Sequence, residues 1–187
     1  QKGTAVRQLE PIGLKLDVKI WPMRWAHYLV DEDFINRYPQ WFCFQQAREN
    51  DGGLYYGFPV LSRNKRNIPR IKVGIDWTPP DLIGVDDKAM NQPFMKPLVK
   101  MLDDFILNNL DGVISCDEIF ISPYTMTKDV NFILDKLTSN ITVFSGGSGQ
   151  AFKFAPLIGK YLAEKTLNQN CSFDISCWEF DRFLTRK

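Results

Sequence analysis

The sequence predicts an α+β protein, and three observations carry that reading. Short alternating or aromatic segments separated by turn signals fill the first part of the chain, and one amphipathic helical pattern lies in the middle. Near the end, VFSGGSGQAFKFAPLIGKYLAE (Val143 to Glu164) joins an apolar strand, a glycine-rich turn and a helix. Strands in hairpins, then a helix, then strands and a final helix are the order of an α+β protein rather than of a βαβ series. With 187 residues, 44% hydrophobic and 13% aromatic, the chain has enough apolar surface for a core.

In the first strand Leu16, Val18 and Ile20 alternate with Asp17 and Lys19 until Pro22, which marks an edge or a bulge. Trp41 to Gln46 and Leu54 to Phe58 are aromatic and joined through RENDGG, a hairpin signal. Arg63, Lys65, Arg66 and Arg70 form a dense basic cluster in SRNKRNIPR, which reads as a solvated loop. From Arg70 to Asp76, Ile71, Val73 and Ile75 take one face of a strand while Lys72, Gly74 and Asp76 take the other. After the loop TPPDLIGVDDK, the spacing of Phe94, Leu98, Met101, Leu102, Phe105 and Ile106 predicts a helix to about Leu107. Further strands are expected around Glu118 to Tyr124 and Asn131 to Asp135.

In the terminal motif, Gly146, Gly147 and Gly149 allow positive φ and close backbone approach, and the helix behind them offers unpaired N–H groups at its positive end. A ligand-binding turn and an ordinary tight connection both fit this pattern. Phe154, Leu157, Ile158, Tyr161 and Leu162 define the buried stripe of that helix, and Lys160, Glu164 and Lys165 its wet side. The nearest match to a dinucleotide fingerprint, Gly147, Gly149 and then Phe152, lacks the last glycine and an acidic residue about 20 positions on.

Composition narrows the function classes. A net charge of +1 with no long basic stripe offers no electrostatic case for nucleic acid or an anionic membrane. No apolar run reaches the roughly 18 residues of a membrane span, and QKGTAVRQLEP does not read as a signal peptide. The expectation is an intracellular protein, in the cytoplasm or, although the ending TRK is not an SKL signal, in the peroxisome. Cys43, Cys116, Cys171 and Cys177 show no CxxC spacing, and one histidine, His27, completes no zinc set, so no metal site is expected. Reduced thiols are the expected state, although a Cys171–Cys177 bridge is compatible with the spacing.

YTMTKDVNFILD (Tyr124 to Asp135) followed by FSGGSGQAFKFAPLIGKYLAE, with GLYYGFP (Gly53 to Pro59) and IKVGID (Ile71 to Asp76) in matching order, resembles the C-terminal half of flavin-dependent amine oxidases. The type is that of monomeric sarcosine oxidase, and the GGSGQAFKF form is closer to the fructosyl-amine, saccharopine and pipecolate oxidases. The resemblance covers nearly the whole chain. It implies an enzyme that binds FAD, oxidises the CH–NH bond of an amino acid or secondary amine by hydride transfer, and returns the electrons to oxygen as hydrogen peroxide. It also implies a substrate-binding domain over residues 1–120, and over 121–187 a segment completing an FAD-binding domain. The Rossmann-type remainder would lie on an N-terminal segment or on a second chain.

The same resemblance assigns roles. Lys72 matches the strand lysine that promotes reaction with oxygen, and Lys153 matches the lysine that holds the substrate carboxylate. Tyr56 and Tyr124 match residues lining the substrate cavity, and Asp76 stands where sarcosine oxidase has a histidine. Gly146, Gly147, Ser148, Gly149, Gln150, Phe152 and Lys153 match the segment that approaches the flavin. Asp76 is expected to pair with Lys72 or with a substrate amine. Ser122 occupies the position of the flavin-linking cysteine, and Cys116 lies too far back, so FAD is expected to be bound non-covalently. The competing reading is a non-catalytic binding or scaffold subunit with the same fold.

Overall fold

The computed structural model describes residues 18–44, 54–78 and 96–183. The expected helix positions at Phe94 and Leu98 are not described as side chains, and the turn RENDGG and most of TPPDLIGVDDK also lie outside the described residues. The mostly antiparallel α+β architecture expected from the sequence is present. Seven strands and two α-helices of three or more turns are described: β1 (Val18–Val30), β2 (Trp41–Phe44), β3 (Leu54–Arg63), β4 (Pro69–Asp76), α1 (Lys96–Asn109), β5 (Val113–Thr127), β6 (Ile133–Thr138), β7 (Ile141–Ser145) and α2 (Ala155–Thr166). Strands β2-β3-β4-β1-β5 form one sheet and β6-β7 a second. The chain divides into two compact units, Pro22–Pro123 and a unit that joins the start of β1 to the residues from Tyr124 onward.

In the first unit, β2 and β3 form the expected antiparallel pair, Trp41 opposite Gly57 and Phe44 opposite Leu54. β1 runs unbroken through Pro22 for 13 residues, where a strand interrupted at the proline was expected. It pairs with β4 only from Arg24 to Leu29, so the proline stands outside that register and its missing N–H breaks no described β1–β4 bond.

The basic cluster departs from the expected loop. Arg63 ends β3 and Arg70 lies in β4, joined by a turn in which the Asn64 side chain accepts from the N–H groups of Arg66 and Ile68 at 2.9 and 3.0 Å. Arg63 pairs with Glu32 at 2.6 Å, and Arg70 with Asp117 and Glu118 at 3.2 and 2.6 Å. Two of the four cations are thus strand residues, placed by the pairing of β3 with β4, while Lys65 and Arg66 stay in the exposed turn.

The strand alternation selects the covered face. Ile71, Val73 and Ile75 of β4 and Ala26 and Tyr28 of β1 form one cluster with Leu102 and Ile106 of α1, all nearly inaccessible. Phe105 of α1 stacks on Tyr55 of β3 with centroids 3.8 Å apart. Arg24 is fully buried here; it donates to the carbonyl of Val99 and pairs with Asp103 at 3.6 Å. Tyr28 donates to the same carboxylate at 2.5 Å. Burial and that carboxylate push the tyrosine well above its ordinary range.

In the second unit, β6 and β7 are an antiparallel hairpin, Ile133 opposite Ser145. The buried residues Phe132, Leu134, Ile158, Tyr161 and Ile175 form a core, with Phe154, Leu157, Leu162 and Trp178 packed against it. The helical stripe read from the sequence is therefore the packed one. Of the expected wet side, Lys160 and Glu164 pair with each other at 2.7 Å. Lys165 instead reaches inward to Glu179 and to Asp135, the latter at 3.7 Å, because carboxylates lie on its side of the helix. Arg182 closes the unit, donating to Asp129 at 2.7 Å and to the carbonyl of Phe132 at 2.7 Å.

Candidate functional site

The face of the large sheet opposite α1 brings together the first group of expected site residues. Its rows follow from the register. Phe42, Tyr56, Gly74 and Trp25 stand opposite one another across β2, β3, β4 and β1. In the next row Phe58, Lys72 and His27 are neighbours, and on the other side Phe44, Leu54 and Asp76. Period-two alternation forces Lys72, Gly74 and Asp76 to this side once Ile71, Val73 and Ile75 are packed under α1.

The ammonium of Lys72 lies 4.3 Å from the centroid of the Trp25 ring and 5.6 Å from that of Phe58. The side chain is half-buried among aromatic faces, and among the described residues it makes no ion pair. The expected pairing of Lys72 with Asp76 is thus not formed. Asp76 ends β4, exposed, and partial desolvation raises its carboxyl above the usual range.

Trp25 is held from several sides. Its indole N–H donates to Ser122 Oγ at 3.0 Å, and its ring stacks on Phe120 with centroids 4.0 Å apart and an interplanar angle of 13°. His27 meets both rings edge-on at 5.4 and 5.6 Å, and its Nδ1 lies 3.4 Å from Glu118. Burial, and then the charge of Arg70, lower its pKa. Ser122, the position expected to leave the flavin unlinked, is therefore an acceptor for tryptophan. Cys116 packs toward the α1 core instead, where burial pushes its thiol up to about 11. All four cysteines are free thiols.

The second unit carries the glycine turn. Gly146 and Gly149 have φ of +64° and +71°, as the glycine pattern led one to expect, but Ser148 rather than Gly147 is the third residue with positive φ, at +46°. Ser148 tolerates this because its hydroxyl donates to the carbonyl of Gly146 at 3.0 Å and its N–H to Thr125 at 3.0 Å. The ring of Tyr124 lies against Gly149, so a Cβ there would collide with it. A single 3-10 turn, Ala151–Phe154, separates the glycines from α2, where the sequence led directly into a helix. The N–H groups of Gln150 and Ala151 turn back onto Gly147, while those of Gly147 and Gly149 bond no described residue. The donors left open at the turn thus include those of Gly147 and Gly149.

Gln150 is exposed and makes no capping bond. Phe152 is 95% exposed. Lys153 is exposed beside it, its ammonium 5.5 Å from the ring of Phe154. Lys72, Tyr56 and Asp76 therefore share one face of the first unit, and Tyr124, Lys153 and the glycine turn belong to the second. Sequence reasoning missed Trp25, Phe58 and Phe120. The signal available was the alternation of Trp25 and His27 in WPMRWAHYLV, which puts both on the lysine side once β1 pairs with β4. Among the described residues no cluster of three or more potential metal ligands occurs, and no helix is long and apolar enough to cross a membrane.

Comparison with known proteins gives a consistent picture. The N-methyl-L-tryptophan oxidases of Salmonella dublin and Salmonella enteritidis are each 30% identical to this chain over 191 residues, covering 97% of it and 46% of the relative. Two solved open-form structures of NikD, an unusual amino acid oxidase essential for nikkomycin biosynthesis, superpose on it. A point mutant does so with a TM-score of 0.67 at 23% identity, and a second structure with 0.62 at 25%; both cover 91% of this chain and 44% of NikD. No family model matches the chain. The chain spans just under half the length of the curated relatives it matches.

Proposed function

We propose, for a chain that is a relative of the sarcosine-oxidase-like amino acid oxidases over nearly its whole length and matches the C-terminal half of one, that it is the substrate-domain part of a flavin-dependent oxidoreductase. The reaction is oxidation of the CH–NH bond of an amino acid or secondary amine to an imine, which water hydrolyses. When bound, FAD accepts the hydride from the amine carbon and delivers the electrons to oxygen, giving hydrogen peroxide. The relatives act, by name, on an N-methylated aromatic amino acid, and the aromatic residues Phe42, Tyr56 and Phe58 of β2 and β3 suit a substrate of that class.

The observation that carries the reading is the ammonium of Lys72, held against aromatic rings with no ion pair among the described residues. A fixed cation of this kind stabilises negative charge as oxygen takes its first electron. The glycine turn fits a flavin: two backbone N–H groups are left without a described partner, and side chains are excluded at Gly149 by Tyr124. Backbone donors so placed would hold an electron-rich ring edge. Lys153 would hold the substrate carboxylate, with Tyr56, Tyr124 and Asp76 as substrate contacts and Gln150 and Phe152 beside the cofactor. With the indole N–H on Ser122 and Cys116 in the core, the flavin is held without a covalent link. The remaining cofactor contacts come from a Rossmann-type half.

The test is to purify the full-length protein with its dinucleotide-binding half and record its visible spectrum. A flavin spectrum, bleached under nitrogen by N-methyl amino acids and restored by air with release of peroxide, is the expected result. A bound flavin that no amine or amino acid bleaches would leave a non-catalytic scaffold as the function.

A further inference from the structure

Lys72 is a flexible four-carbon side chain on an exposed-side strand position, and nothing on β4 itself fixes where its ammonium points. The structure supplies that constraint from β1 and β5. Trp25 stands two register positions from Lys72 on the same face, opposite Gly74, and turns its ring beneath the ammonium. The ring cannot swing away without losing two anchors on β5, the hydrogen bond to Ser122 and the stack on Phe120. His27 blocks it edge-on, and His27 is itself tied to Glu118. A tryptophan face is the strongest aromatic partner for an ammonium, and it attracts the charge without neutralising it. A carboxylate in the same place would cancel the field that the reaction with oxygen uses.

We propose that Trp25, clamped by Phe120 and Ser122 of β5, is the positioning residue for Lys72 and sets where its ammonium stands on the open face of the sheet. The inference rests on the oxidase reading for the purpose of that cation, but the placement itself is a property of this chain. Ser122 thereby gains a role: its hydroxyl is the acceptor that keeps the indole in register. The unit needs no charge of its own, because Glu118, the nearest carboxylate to His27, is already bound by Arg70 at 2.6 Å.

The experiment uses the full-length protein labelled with 13Cε-lysine, wild type and the variants Trp25→Phe, Trp25→Leu and Ser122→Ala, with Lys72→Met to identify the Lys72 signal. Ring current from the indole should displace the Lys72 Hε resonance upfield in the wild type. Trp25→Leu should abolish that displacement, and Trp25→Phe should keep part of it. In stopped flow, Trp25→Leu should slow reoxidation by oxygen about tenfold and change flavin reduction by less than about twofold, with Ser122→Ala intermediate and Trp25→Phe close to wild type. A Lys72 resonance that is not displaced, or that ignores Trp25→Leu, overturns the proposal even if Lys72→Met proves essential for reoxidation. Equal loss of reduction and reoxidation in Trp25→Leu and Trp25→Phe alike also overturns it, because that pattern marks a residue that only supports the fold. If no amine reduces the wild-type flavin while the resonance still follows Trp25, the oxidase reading fails and the positioning of Lys72 stands.

Discussion

The ring of Tyr56 lies across Gly74, its partner on the neighbouring strand, so closely that a Cβ built on Gly74 would overlap the phenol carbon and hydroxyl. A glycine in a central strand ordinarily weakens it, and here its missing side chain is the space in which an expected substrate contact rests. Gly74→Ala should destabilise the protein by about 1–3 kcal/mol through overpacking and displace Tyr56. Urea unfolding measures the first effect and a raised KM with a smaller change in kcat the second. Adding Tyr56→Leu to Gly74→Ala should restore most of the stability. A neutral Gly74→Ala would show that Tyr56 does not occupy the strand surface.

Lys72→Met should slow the reaction of reduced flavin with oxygen by about a hundredfold, the scale of removing one electrostatic donor from a developing anion. Reduction by substrate should change little. Stopped-flow measurement of the two half-reactions separates them, and equal effects on both would remove the oxygen-directed role of the lysine.

With Ser122 bonded to Trp25 and Cys116 directed into the core under α1, no thiol is offered at the position that would link the flavin. Denaturation of the full-length protein should release all of its flavin into the supernatant. A fluorescent flavin band that stays with the protein on a denaturing gel would contradict this.

The carboxyl of Asp129 is held at about 2 even though burial alone would raise it, because Arg182 and the N–H of Asn131 donate to it. A carboxyl whose folded pKa lies below its unfolded value of about 3.9 contributes stability above that value and loses it as pH falls through about 2. Asp129→Asn should therefore be less stable than wild type at neutral pH. The difference between their urea midpoints should shrink steadily from about pH 5 to about pH 2. A difference independent of pH would assign the effect to packing and not to the ion pair.

Much of the site was legible locally. The alternation in IKVGID placed Lys72 with Gly74 and Asp76 because strand periodicity is a property of consecutive residues. The glycine turn was legible for the same reason, although the sharing of positive φ between Ser148 and the two flanking glycines was not. That choice depends on bonds from Ser148 to Gly146 and Thr125, which form only once β5 and the turn meet. The loop expected over SRNKRNIPR is a turn only at its centre, because Arg63 and Arg70 lie in the paired ends of β3 and β4, and the carboxylates they meet, Glu32, Asp117 and Glu118, are 31 to 48 positions away.

By itself the sequence determined the α+β order of elements, the faces of β4 and α2, and the motifs that carry the resemblance to the amine oxidases. Those follow from local spacing and from motif identity, which need no knowledge of what lies across the sheet. Only the tertiary structure decided the surroundings of Lys72. Trp25 and Phe58 meet its ammonium from two other strands, Phe120 and Ser122 hold Trp25 from a third, and sheet order and register are set by burial of the opposite face against α1. The ammonium's aromatic bed is therefore a consequence of packing on the far side of the sheet.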